Sequence, residues 1–425
     1  MTAPTESSLG PGTAGGAGSW LRSIVSDRLL VALIAGAAVV RLGYLLAAGI
    51  DQAGDTPLYL TTARELSDGT VTVNDFPLHL LYSFTLAPAF VFGIEPDTWV
   101  VPLHLLLGVA TVAVMYRLAT LFLERGPALL VGAGAAMLPA ALHWSHYILS
   151  ETLFLFIVSV FLLACAQRLV DPQWDRLRLG VVAALGLLVA FTRPSGVLIV
   201  WSATVCLVGV TASHRRDAVT ARRAVGATVI ASLLVLAAVL AVPATRHRLL
   251  GLPTVYTSIW LSTRTFDSDI DHVAREIELP KEIEALDDPE RGNELRERSF
   301  EFIREHPGDY VSRAGIRFTN FWFPWLTARW SRAHLALDAA VSLSLVGLSI
   351  CGLVLVRSRA ARNVMVMLAL VALVQGVLVA FSQLDSEGRY RLPAELALLP
   401  VAGAGVQGLW HRLRQRRAAP AVAPA

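Results

Sequence analysis

The sequence predicts an all-α polytopic membrane protein with about ten transmembrane helices, and three observations carry that expectation. Hydrophobic residues fill 55% of the 425 positions and charged residues only 16%, with a mean hydropathy of +0.57. Soluble domains hold roughly 45–50% apolar and about 25% charged residues. Apolar windows long enough to cross a hydrocarbon layer about 30 Å thick recur along the chain. Arginine gathers in alternate short loops, the asymmetry expected when basic loops stay on the cytoplasmic side.

Residues 1–28 begin MTAPTESSLGPGTAGGAG, a run with too little apolar surface to build a core, and a disordered cytoplasmic N-terminus is expected. Apolar windows follow near 29–49, 98–122, 127–143, 152–169, 179–193, 196–212 and 224–243. Together, residues 29–243 read as a transmembrane half that carries the chemistry. The first window is too long for a signal-peptide core and is followed by further spans, so it reads as an anchor. The fifth and sixth are short and separated only by Arg193-Pro194-Ser195-Gly196, a tight helical hairpin.

The outer loop 51–97 holds an apolar piece, FPLHLLYSFTLAPAFVFG, interrupted by Pro88. Counting this piece as a span would reverse the arginine bias of every later loop. It is therefore expected to lie in the outer interface as an amphipathic cover. Residues 244–333 are the most polar stretch, and Glu and Arg at helical spacing from Ala274 to His306 predict a mostly helical extracytoplasmic region. It ends in an interfacial belt of Trp322, Trp325 and Trp330. Spans near 334–356, 362–382 and 391–410 make up the C-terminal membrane part, 334–410. Residues 411–425 form a basic, then disordered, cytoplasmic tail.

With the N-terminus inside, Arg28, Arg117, Arg125, Arg168, Arg215, Arg216, Arg357, Arg359 and Arg412 all fall on the cytoplasmic side. Arg193 is the main exception. The expectation is a multi-pass protein of the plasma membrane with both termini cytoplasmic and its site outside. The net charge is only +3 and no basic run is interleaved with aromatics, so nucleic acid is not an expected partner. Cys165, Cys206 and Cys351 sit far apart in apolar runs and read as small buried hydrophobes. No phosphate-binding glycine loop or HExxH is present.

The chemistry is expected where polar residues interrupt the outer ends of apolar segments. Asp55, in GDTPLYL after the first span, is a carboxylate where a membrane helix meets water, and such a group is a functional candidate by default. Asp55-Thr56-Pro57 equally reads as a helix start, with Asp as the cap and Pro just inside. Arg193 puts a permanent cation at the outer end of the hairpin, as a phosphate clamp or as a snorkelling anchor. Arg389 and Arg391 open the last span and either add charge to the same cavity or anchor the surface. Glu151 heads the fourth span, where the helix dipole alone favours a carboxylate. Arg41, inside the first span, must face protein or reach a partner carboxylate, for which Asp51 and Asp55 are the candidates. Asp267, Asp269, Asp271 and His272 look metal-like but read better as solvated loop charges. His143 and His146 read as interfacial.

Taken together, GDTPLYLTTARELSDG, PLHLLYSFTLAPAFVFG, YILSETLFLF, LGLLVAFTRPSG, FIREHPGDYVSRAGIRF and RYRLPAELALLPVAGAG resemble, in order and over residues 30 to 410, the polyprenyl-phosphate-dependent glycosyltransferases of the GT-C fold. The likeness is to the protein O-mannosyltransferase and aminoarabinose-transferase superfamily. The resemblance implies a GT-C-like bundle and transfer of a sugar, with inversion, from a polyprenyl-phosphate-linked donor to a hydroxyl of a glycan, lipid or protein acceptor. It implies Asp55 as catalytic base or as the group that orients the acceptor, with Tyr59 and Arg64 in the helix after it, and Arg193 beside the donor phosphate. Thr56 stands where many relatives carry a second acid. No cofactor is implied with certainty, and a divalent metal ion remains an open alternative. A carrier or flippase of lipid-linked sugars is the competing reading, for which no internal repeat is evident.

Overall fold

A computed structural model describes residues 27–70, 80–171, 176–193, 195–214, 281–323, 332–382 and 388–418, and among these every regular element is a helix. In chain order they are α1 (Arg28–Ala48), α2 (Thr56–Asp68), α3 (Leu80–Val91), α4 (Pro96–Ala119), α5 (Arg125–Met137), α6 (Pro139–Trp144), α7 (Glu151–Val170) and α8 (Arg176–Thr192). There follow α9 (Gly196–His214), α10 (Lys281–Glu284), α11 (Asp288–Glu305), α12 (Pro307–Trp322), α13 (Arg332–Leu355), α14 (Arg359–Ser382) and α15 (Gly388–Ala418). Six of them, α1, α4, α7, α13, α14 and α15, are long and apolar enough to cross a membrane. The chain is an all-α multi-pass membrane protein. The span expected near 224–243 and the Asp267–His272 cluster lie outside the described residues, as do Trp325 and Trp330.

Helix α3 has 12 residues. At 1.5 Å per residue these described residues reach about 18 Å, and the start of the apolar piece, residues 76–79, lies outside the described residues. The window near 127–143, expected as one helix, is two. Leu138 is extended, with φ −59° and ψ 113°, and Pro139 opens α6. Proline lacks the N–H that would bond the carbonyl four residues back, here that of Ala135. Arg41 supplies the missing donor: its Nη2 lies 3.1 Å from the Ala135 oxygen. The guanidinium fits because position 108 is glycine, where an added Cβ would come within 2.8 Å of Arg41 Nη1. Arg41 therefore caps α5 and does not meet Asp51 or Asp55, a correction to the candidate pairing.

Contacts between helix ends sort the bundle into two poles. At one, Asp27 caps α1 by accepting from the N–H groups of Leu29 and Leu30, and also binds Arg125 at the head of α5. The Glu124 N–H there donates to Gln407 of α15 at 2.9 Å, and His411 lies 3.1 Å from Glu124. Arg28, Arg117, Arg125, Arg412 and Arg414 share this basic pole. At the other, the loop after α1 bridges to the approach to α7, and the heads of α7 and α15 meet the end of α8.

Helices α13 and α15 run parallel and touch backbone to backbone. A side chain at Gly405 would collide with the Leu348 carbonyl, and one at Gly352 with that of Val401. Close approach through small residues is how helices associate where apolar burial gives no preference. Outside the spans, α12 docks on the end of α14: Arg317 Nε donates to the Ala380 carbonyl at 2.6 Å, and the Tyr310 hydroxyl donates to that of Phe381. Two carbonyls left unpaired at a helix C-terminus are thereby satisfied.

Candidate active site

The site begins with backbone. After α1, the Asp51 N–H donates to the His146 carbonyl at 2.9 Å and the Ile148 N–H returns to the Asp51 carbonyl at 3.1 Å, a parallel bridge between the outer loop and the approach to α7. The Thr56 hydroxyl, fully buried, lies 3.0 Å from the Ile148 carbonyl. These bonds pin the head of α2 against residues 146–150.

Helix α2 then turns Thr56, Tyr59, Thr62 and Ala63 inward, the i, i+3, i+6, i+7 stripe of an amphipathic helix. The Tyr59 hydroxyl sits 3.1 Å from Ser150 Oγ. The next residue, Glu151, opens α7 with its side chain 3% exposed and forms an ion pair with Arg193, whose side chain is 11% exposed. Arg389 Nη1 lies 4.0 Å from the same carboxylate oxygen. Aromatic faces hold both guanidiniums: Arg193 lies over Phe154 and Tyr390, at 5.9 and 5.6 Å, and Arg389 over Tyr390 and Trp144, at 4.8 and 5.7 Å. One carboxylate gathers two cations, and among the described residues the second Glu151 oxygen, Oε2, is buried without a partner.

The turn that delivers Arg193 depends on Gly196. Its N–H donates to the Arg193 carbonyl at 2.9 Å, and a Cβ at position 196 would collide with the Val189 carbonyl. The hairpin read from the sequence is thus also the device that aims Arg193 at Glu151.

Asp55 occupies the cap position of α2, with φ −80° and ψ −2°, but makes no side-chain capping bond. Its carboxylate, half-buried, is not committed to the helix end. Tyr59 lies within electrostatic range of Arg193, Glu151 and, more weakly, Asp55. Burial raises the Tyr59 phenol well above its ordinary pKa, with the Arg193 charge opposing and the two carboxylates reinforcing the shift. Tyr59 is a neutral hydroxyl throughout the physiological range.

Three of the expected residues lie elsewhere. Arg41 caps α5, as described. Arg391, on the opposite side of the last span's first turn, is 1% exposed and bound by Asp338 and by Glu395 at 2.6 Å. Both carboxylates neutralise it within the packing of α13 and α15, so it adds no charge to the Glu151 cluster. Arg64 is on the outward face of α2, 5.2 Å from the Phe90 ring. His143 and His146 pack with Trp144 and Tyr147 as edge-on and tilted rings, His146 also bonding the His143 carbonyl. Among the described residues no group of three or more His, Cys, Asp or Glu is disposed to hold a metal ion.

Sequence reasoning did not single out Ser150, Trp144 or Tyr390. Tyr390 lies between the two arginines it read, and an aromatic between cations at a helix head is the available signal. Behind Tyr59, the ring of Tyr82 stands edge-on at 5.0 Å, and its hydroxyl lies 3.0 Å from His104 Nε2. His104 Nδ1 is 2.8 Å from the Ser145 carbonyl, which only accepts. Nδ1 therefore carries the proton and the Tyr82 hydroxyl donates to Nε2. No protein-family model matches this chain, and no curated protein matches it significantly.

Proposed function

We propose that this protein is an integral-membrane glycosyltransferase of GT-C type, moving a sugar from a polyprenyl-phosphate donor to an acceptor hydroxyl on the extracytoplasmic face of the plasma membrane. The observation that carries the reading is the arrangement at one pole of the bundle: Asp55, a carboxylate that makes no capping bond, on the same helix as Tyr59, whose hydroxyl lies beside the Glu151–Arg193–Arg389 cluster. A polyprenyl-phosphate sugar is a phosphodiester with one negative charge, which such a cluster suits, and its tail belongs among apolar helices.

In this reading Asp55 accepts the proton of the acceptor hydroxyl as its oxygen bonds to the anomeric carbon. The bond from that carbon to the phosphate oxygen breaks, and the polyprenyl phosphate departs with the electron pair. The charge that grows on the leaving phosphate falls to Arg389, the more open guanidinium, with Arg193 behind it. Fixed charges aimed at developing charge are commonly the largest part of catalysis, and a positioned base adds about 10²–10⁴-fold. Glu151 keeps two like charges side by side before substrate arrives.

The test is reconstitution of the full chain in proteoliposomes with a radiolabelled polyprenyl-phosphate sugar and a hydroxyl acceptor. The proposal expects a new glycosidic bond, lost in Arg389→Ala. Movement of the intact lipid-linked sugar across the bilayer with no new bond would replace it with a carrier.

A further inference from the structure

Helix α2 has a second face. Opposite Tyr59, Leu60, Thr61 and Arg64 form one wall of a cleft of about 650 Å³, closed by the end of α3, the following turn and the head of α4. The turn is fixed by its own bonds. Gly93 sits at φ +64°, a conformation that favours glycine, and the Ile94 N–H donates to the Ala89 carbonyl at 2.8 Å. Pro96 then starts α4. Phe90, Glu95 and Asp97 are consequently held in place on the wall facing Arg64.

These polar side chains are exposed, and Asp97 lies in the first turn of α4, where the helix dipole favours a carboxylate. Glu95 does not cap α4 with its side chain, and among the described residues the Glu95 and Asp97 carboxylates and the Gln52 side-chain amide make no hydrogen bond or ion pair. Among the described residues the Arg64 guanidinium meets only the Phe90 ring. The cleft falls within the roughly 300–1,000 Å³ typical of small-ligand sites. Its chemistry is mixed in a particular way: carboxylates that only accept, a guanidinium that only donates, an amide that does both, and an aromatic face. Adjacent hydroxyls on a ring satisfy such a set, and the ring's C–H face packs on Phe90. Two carboxylates against one cation disfavour a phosphate, and the charges together disfavour an acyl chain.

We propose that this cleft binds a neutral carbohydrate. Gln52 and Pro57, which line it, bracket Asp55 in the chain, so a sugar seated there lies beside the head of α2. Its identity as the acceptor rests on the transferase reading; its binding does not.

The experiment uses the full chain in nanodiscs without donor, with saturation-transfer NMR of methyl α-mannopyranoside and myo-inositol as probes and with inorganic phosphate and calcium as competitors. Binding of at least one polyol is expected, weakened about tenfold in the Glu95→Gln/Asp97→Asn double variant. Phe90→Leu, which keeps the cleft apolar but removes the ring, is expected to weaken it comparably. Absence of polyol binding, equal binding by these variants, or phosphate or calcium bound in place of the polyol would overturn the proposal. A protein that binds polyols but transfers no sugar would refute the transferase and leave the cleft standing. One that transfers sugar without binding them would do the reverse.

Discussion

Glu151 stands between two guanidiniums, and its removal would leave like charges facing one another in a largely dry site. Breaking a buried ion pair by deleting one partner costs about 3–5 kcal/mol. Glu151→Gln should therefore lower thermal stability in detergent as well as sugar transfer. Arg41→Leu should separate the two effects. It strands the Ala135 carbonyl, worth about 1–3 kcal/mol, while transfer by the folded fraction stays at the wild-type rate; differential scanning fluorimetry beside a transfer assay reads both. Tyr59 gives a pH signature. Its folded pKa lies above the unfolded value, about 10 for tyrosine, so the neutral phenol's contribution to stability is complete below that value. It is lost as pH rises above it toward the folded pKa. Alkaline unfolding should be shallower in Tyr59→Phe; identical alkaline profiles would show that the phenol is not held neutral by burial.

At the scale of elements, two glycines decide geometry. Gly196→Ala forces the α8–α9 turn apart and carries Arg193 away from Glu151. Displacements of about 1 Å at a site reduce rates by as much as about 10²-fold, so transfer should fall far more than stability does. Gly405→Ala instead drives a methyl against the Leu348 carbonyl, and overpacking of about 1–3 kcal/mol should appear in thermal unfolding. The α8–α9 hairpin was legible because Arg193-Pro194-Ser195-Gly196 is local chemistry, and α1, α4 and α7 because apolar length is a local property. The break between α5 and α6 was not, since hydropathy ignores a missing N–H at Pro139. Arg391 misled for another reason: its partner Asp338 is 53 residues away. The weight of Glu151 was hidden the same way, because Arg193 lies 42 residues on and a first-turn carboxylate alone suggests only a dipole.

For the molecule as a whole, the two poles divide the labour. The basic pole ties helix ends together through Asp27, Arg125, Glu124 and His411, as an anchoring surface would. The opposite pole gathers Asp55, which caps nothing, the unpaired Glu151 oxygen, and the polar wall of the α2–α4 cleft. Helix α2 stands between the last two with Asp55 at its head, an arrangement that suits a donor on one side and an acceptor on the other. Asp55→Asn tests this most directly, because the side chain makes no capping bond whose loss would disturb the fold. In proteoliposomes supplied with a polyprenyl-phosphate sugar, the variant should insert and melt as the wild type does, with transfer lowered at least about 10²-fold. Transfer at the wild-type rate would contradict the account.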